Sequence, residues 1–75
     1  MSQPLPLGTA VQVSRPGRTM HAWQGRILEA SASPDFVWVA FQLKGKEATP
    51  PDERDIRNKA KCQYKLMPTS SLSLI

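Results

Sequence analysis

The sequence predicts a small all-β protein, a five-stranded antiparallel barrel with a long insert before its fourth strand, and three observations carry that expectation. Apolar and polar residues alternate in several short runs, the period of a half-buried strand. Turn-forming Pro and Gly separate those runs. One stretch, Phe36 to Phe41, strings together the β-branched and aromatic side chains that suit a pleated surface. A chain of 75 residues, 40% of them hydrophobic, holds enough apolar material for a core and room for one domain only.

Residues 1–7 read as a flexible N-terminal arm, because Pro4 and Pro6 bracket Leu5 without any periodic pattern, and residues 8–75 read as the domain. Thr9, Val11 and Val13 alternate with Ala10, Gln12 and Ser14 in a first strand, and Arg15-Pro16-Gly17-Arg18 opens a long loop. Trp23 to Ala30 is the second strand, in which Gly25 permits a bend or the close approach of another backbone. Ser31 to Asp35, with Pro34, turns the chain into a third strand over Phe36 to Leu43. Val37, Val39, Phe41 and Leu43 then share the core face, leaving Phe36, Trp38, Ala40 and Gln42 on the other. Two aromatics on that second face call for a cover: a neighbouring subunit, a ligand or the chain's own long loop.

Lys44 to Ala60 is polar, and Thr49-Pro50-Pro51-Asp52 has the capping spacing with Pro at the first helical position, so a short helix is expected near residues 50–59. Ile56 is its only large apolar residue, which predicts a mobile, solvent-facing insert. Cys62, Tyr64 and Leu66 alternate with Gln63, Lys65 and Met67 in a fourth strand, with Tyr64 read as core. Residues 67–72 make a tight turn, and Ser73-Leu74-Ile75 closes the sheet as a last short strand.

The charge is +4, with Arg15, Arg18 and Arg26 in one acid-free stretch and Arg57, Lys59, Lys61 and Lys65 in another. Such patches face phosphates of a nucleic acid or cofactor, or simply keep a small domain soluble. Cys62 and His21 are the only residues of their kinds, which leaves no internal disulfide and no Cys/His ligand set, so no metal is expected. The longest apolar run is six residues, far short of a membrane helix, and the start of the chain lacks the grammar of a secretory signal, which points to the cytoplasm. A domain this short has little room for a deep pocket, so chemistry on a small molecule needs a site shared between copies or lying open on a surface.

The order Gly8…Val11-x-Val13, a basic loop, Trp23-x-Gly25-x-Ile27, an apolar strand and a final Pro68-x-x-x-Leu72-x-x-Ile75 resembles the SH3-like barrels. Within them, Ala22-Trp23-Gln24-Gly25-Arg26-Ile27 and the tail from Pro68 to Ile75 are similar to the plasmid-borne type B dihydrofolate reductases. That resemblance implies a homotetramer with D2 symmetry whose central pore binds NADPH and dihydrofolate together; Phe36 and Trp38, on the aromatic outer face, are candidates for the subunit contacts, and Trp23 is a buried barrel or interface residue. In the family a Val-Gln-Ile-Tyr segment before the Pro lines the pore. Here the corresponding residues are Tyr64, Lys65, Leu66 and Met67, so Lys65 stands at the Gln position and Met67 at the Tyr position. The resemblance thus implies ligand contacts from Gln63, Lys65, Leu66 and Met67, with Arg15 or Arg18 supplying the positive charge that the family takes from a Lys near the first strand. Hydride transfer needs the two rings held in contact and cations for phosphate and folate tail, but no protein nucleophile.

A non-enzymatic reading stands beside it. Other SH3-like barrels, of the KOW and Tudor kind, bind RNA, DNA or protein on a comparable small sheet, and a fold does not fix a function. Arg15, Arg18, Arg26 and Trp38 would then be nucleic-acid contacts, with Trp38 and Phe36 as a stacking platform.

Overall fold

The computed structural model describes residues 6–75. The arm expected over residues 1–7 lies almost wholly outside them. Five strands are present: β1 (Ala10–Val13), β2 (Gln24–Ala30), β3 (Phe36–Gln42), β4 (Cys62–Pro68) and β5 (Leu72–Leu74). They form one antiparallel sheet in the order β4-β3-β2-β1-β5. The sheet is continuous but not closed by hydrogen bonds, because β4 pairs only with β3 and β5 only with β1.

On β3 alternation places the core where the sequence pattern puts it, whereas on β4 the core side is that of Met67 and not that of Tyr64, which borders the outer cluster instead. Val11 and Val13 of β1, Ile27 of β2, Val37, Val39 and Phe41 of β3 and Met67 of β4 form one buried cluster, with Met20, Trp23 and Leu72 packed at its margin. Leu43 does not join them: β3 ends at Gln42, where the chain leaves the pleat, and Leu43 stays 45% exposed. Gly25 is where backbone and ring come closest. A Cβ there would lie 2.6 Å from the Ala40 carbonyl oxygen and 2.7 Å from Phe41 Cδ1, so the strand pair needs a residue without a side chain.

The insert departs most from expectation. The helix expected near residues 50–59 is only a 3-10 turn over Glu53–Asp55, capped by Asp52, whose side chain accepts the Arg54 N–H. Thr49 is not the cap, since Asp52 lies nearer the turn and takes the free amide instead. Nor does the insert face solvent with its apolar residue. Ile56 is 7% exposed and packs with Leu28, Ala40 and Cys62, bordered by Trp38 and Tyr64, to make a second cluster on the outer side of the sheet. A bulge in β2 sets Leu28 and Glu29 together against Trp38 and helps deliver Leu28 to that cluster. A second 3-10 turn, Thr69–Ser71, links β4 to β5. Among the described residues no helix is long and apolar enough to cross a membrane.

Candidate functional site

The outer face of β3 and β4 is built from the pairs Phe36–Pro68, Trp38–Leu66, Ala40–Tyr64 and Gln42–Cys62. The insert divides it. Over one half, Ile56 seals Ala40, Leu28 and Cys62. The cover is fastened by polar bonds: Arg26 Nε donates to the Pro51 carbonyl at 2.6 Å, while its Nη1 donates to the Gly8 carbonyl before β1 at 2.9 Å. Gln42 Nε2 donates to the Thr49 and Pro50 carbonyls, the Gln24 N–H to the Glu47 carbonyl, and the Cys62 thiol to the Asp55 carbonyl at 3.1 Å. Over the other half Phe36 and Leu66 remain 39% and 45% exposed around a half-buried Trp38. Glu29, opposite Trp38 on β2, and Asp35, just before Phe36, both exposed, put negative charge beside this strip.

Of the three covers expected for Phe36 and Trp38, then, the chain's own loop supplies one, and only for part of the face. The sequence carries a signal for it. Ala40 is the one small residue in Phe-Val-Trp-Val-Ala-Phe, and Ala10 lies on the same outer side, paired with Arg26, which in turn pairs with Ala40. Small residues in a bulky strand leave space for a segment to lie across it, and Ile56 occupies that space over Ala40.

Gln63, Lys65 and Met67 do share one side of β4, opposite Phe41, Val39 and Val37, and that side is the core side. Met67 is fully buried within the core. Gln63 is half-buried and donates through Nε2 to the Gln42 carbonyl at 2.9 Å. Lys65, between half-buried Gln63 and buried Met67 on this edge strand, is exposed. Leu66 points to the opposite side, beside Trp38. Arg15 follows β1, three strands from β4 in the sheet order, and its N–H donates to His21 Nδ1. A single chain therefore does not gather these five residues around one ligand.

The other candidates are similarly dispersed. Trp23 packs edge-on against Phe41, with ring centroids 5.4 Å apart and planes at 70°, a core contact. It is led into the core by Ala22, whose φ of 69° lies in the left-handed region and costs about 1–2 kcal/mol for a residue with a Cβ. Arg26 spends its guanidinium on backbone carbonyls, and Arg18 sits exposed in the β1–β2 loop, so Arg15, Arg18 and Arg26 do not ring Trp38.

A depression of about 380 Å³ lies open between the end of β3, the insert and the start of β4, and mixes Lys44, Lys46 and Lys61 with Asp52 and Asp55. Lys61 is 3.7 Å from Asp55 there, and Arg54 is 3.6 Å from Asp52 outside it, both solvated pairs worth little. Cys62 forms part of its wall. Burial, with the nearby Asp55 charge, pushes the Cys62 thiol up from its ordinary pKa and keeps it in the neutral, poorly nucleophilic form. Tyr64 is likewise raised, chiefly by desolvation and then by Cys62, with Arg57 pulling the other way. Among the described residues no group of three or more His, Cys, Asp or Glu is placed to hold a metal ion. No protein-family model matches the chain, and no curated protein or solved structure matches it either, so the likenesses drawn from its motifs rest on those residues alone.

Proposed function

We propose that this chain is an SH3-like barrel module that binds another polypeptide on the uncovered half of its outer β3–β4 face. The fold reading is supported by the meander from β1 to β4, the 3-10 turn at Thr69–Ser71, and the return of β5 to the free side of β1. One observation carries the function: Phe36 and Leu66 remain exposed around Trp38 on a face whose other half is sealed by the insert. A small domain that covers one half of an apolar face and leaves the rest open has a surface suited to a partner. Glu29 and Asp35 beside that strip repel phosphate, which favours a polypeptide over a nucleic acid.

Selection of a displayed random-peptide library on the immobilised protein tests this. A recurring consensus whose binding is lost in Leu66→Asp, with the fold intact by circular dichroism, supports the reading. Absence of any consensus, or oligonucleotide affinity that falls steeply with salt, overturns it.

A second reading keeps the reductase. It is favoured by the exposure of Lys65 beside Gln63 on one side of an edge strand, from which four copies in a tetramer would bring cationic residues to a common pore. Lys65 would hold the NADPH phosphates there, and dihydrofolate would lie against the nicotinamide. Its weakness is Met67, which stands where the resembled family has a pore tyrosine and is occupied by the core. Light scattering at four chains per particle, with NADPH absorbance falling when dihydrofolate is added, would establish it. A monomer inert to both ligands removes it.

A further inference from the structure

We infer that the free edge of β4 is a strand-addition site for an extended segment of another protein in which apolar and acidic residues alternate. The inference rests on the polypeptide-binding reading above and specifies which element the partner joins. The Cys62 N–H turns away from β3 to the Asn58 carbonyl, and the Thr69 N–H turns towards it to the Asp35 carbonyl. Because backbone groups on a strand point alternately to its two sides, Gln63, Lys65 and Met67 pair with β3, and Tyr64 and Leu66 direct their N–H and C=O outward. Neither residue's N–H or C=O has a partner among the described residues. A seven-residue strand offering such groups is a template for one more strand.

The side chains state what that strand must be. On the outer side, Tyr64 and Leu66 adjoin Trp38, so the added residues on that side are apolar. On the core side, Lys65 stands exposed between Gln63 and Met67, so the residue set against it is acidic. The basic approach to β4, with Arg57 and Lys59 both exposed, extends the same preference. A second copy of this chain fits worse. The register overlapping two β4 strands in full, with outward groups facing each other, sets Lys65 directly opposite its own copy, and like charges there repel.

The probe is a blocked peptide of alternating Val and Glu, titrated into the intact protein and read by amide exchange in two-dimensional NMR. Binding should slow exchange at Tyr64 and Leu66. A peptide with Pro for the central Val should lose that protection, and a Val–Lys peptide should not bind. Lys65→Glu should weaken the acidic peptide by about two- to fivefold for each cross-strand pair it reverses, and admit the Val–Lys peptide. Absence of binding, or binding that leaves both amides unprotected, overturns the inference. Library peptides that need Leu66 yet leave the Tyr64 and Leu66 amides exchanging freely would sink the edge site alone, with the face reading intact.

Discussion

Replacing Ile56 by Ala measures how far one side chain holds the insert to the sheet. Ile56 is 7% exposed over Leu28, Ala40 and Cys62. The change deletes three carbons, worth about 2.4 kcal/mol at roughly 0.8 kcal/mol per methylene. A loop can settle partway into the gap, so the cost falls at the lower end of the ~2–5 kcal/mol typical of such truncations. The remaining fasteners are the polar bonds from Arg26, Gln42 and Gln24. Cys62 is the reporter: at 4% exposure, with a thiol that burial keeps neutral, it reacts when the insert lifts away. Every ~1.4 kcal/mol lost raises the open population tenfold, so labelling by a disulfide reagent at neutral pH should accelerate about 50-fold in Ile56→Ala. The far-ultraviolet circular dichroism of the sheet should be unchanged. Labelling at the parent rate, with or without a lower melting temperature, would refute a local latch.

Three further changes probe other parts of the same framework. Gly25→Ala drives a Cβ against the Ala40 carbonyl and the Phe41 ring, neither of which can yield without moving β3, and should cost at least the ~1–3 kcal/mol of an overpacked core in a denaturant titration. Arg26→Met keeps the aliphatic stem but deprives the Pro51 and Gly8 carbonyls of their donor, for a loss of about 1.5–3 kcal/mol by the same titration, with the cover loosened and Cys62 labelled faster. The Arg54 N–H bound by Asp52 holds that carboxyl below the usual carboxylate range, against some desolvation, with the Arg54 and Arg26 charges assisting. A folded pKa that is lowered contributes stability fully present above the unfolded value and lost as pH falls through the folded one. Asp52→Asn should therefore flatten the part of the stability–pH curve below about pH 4, seen in melts across the acid range.

The strands were legible because their signal is local. β2 and β3 begin and end within a residue of the alternating pattern, and the core faces of β1 and β3 follow from parity alone. Extending that parity one residue past the end of the strand puts Leu43 in the core, where the chain has already left the pleat. The insert was not legible, because Ile56 meets Leu28, Ala40 and Cys62, partners between 6 and 28 positions away, and no periodicity within the insert encodes them. Arg26 misled for a related reason. A cation in a basic stretch reads as phosphate-seeking, but between Ala10 and Ala40 its side chain reaches two carbonyls, and the part-buried guanidinium donates to them. The candidate site divides along the same line: which side of β4 each residue occupies was readable, and which side is core, open or covered was not.

Lys65 bears on every reading of this chain, and one substitution separates them. It sits at the centre of an edge strand, on the side that carries the core further in. Extending the sheet with another copy would bring two such lysines together, and burying an unpaired ammonium costs several kcal/mol, so the residue would disfavour the pairing of β4 with itself. Lys65→Met removes that charge and matches the flexible apolar Met67 two residues on. If Lys65 guards the edge, the variant should self-associate with rising concentration, which sedimentation velocity would detect, and should lose its preference for an acidic strand. If Lys65 instead binds NADPH in a shared pore, the tetramer should survive and only nucleotide binding should weaken. A variant that remains monomeric at high concentration, and keeps its preference for the Val–Glu peptide over the Val–Lys peptide, would show that the strand's own backbone and its aromatic neighbours, and not this ammonium, decide what may lie beside β4.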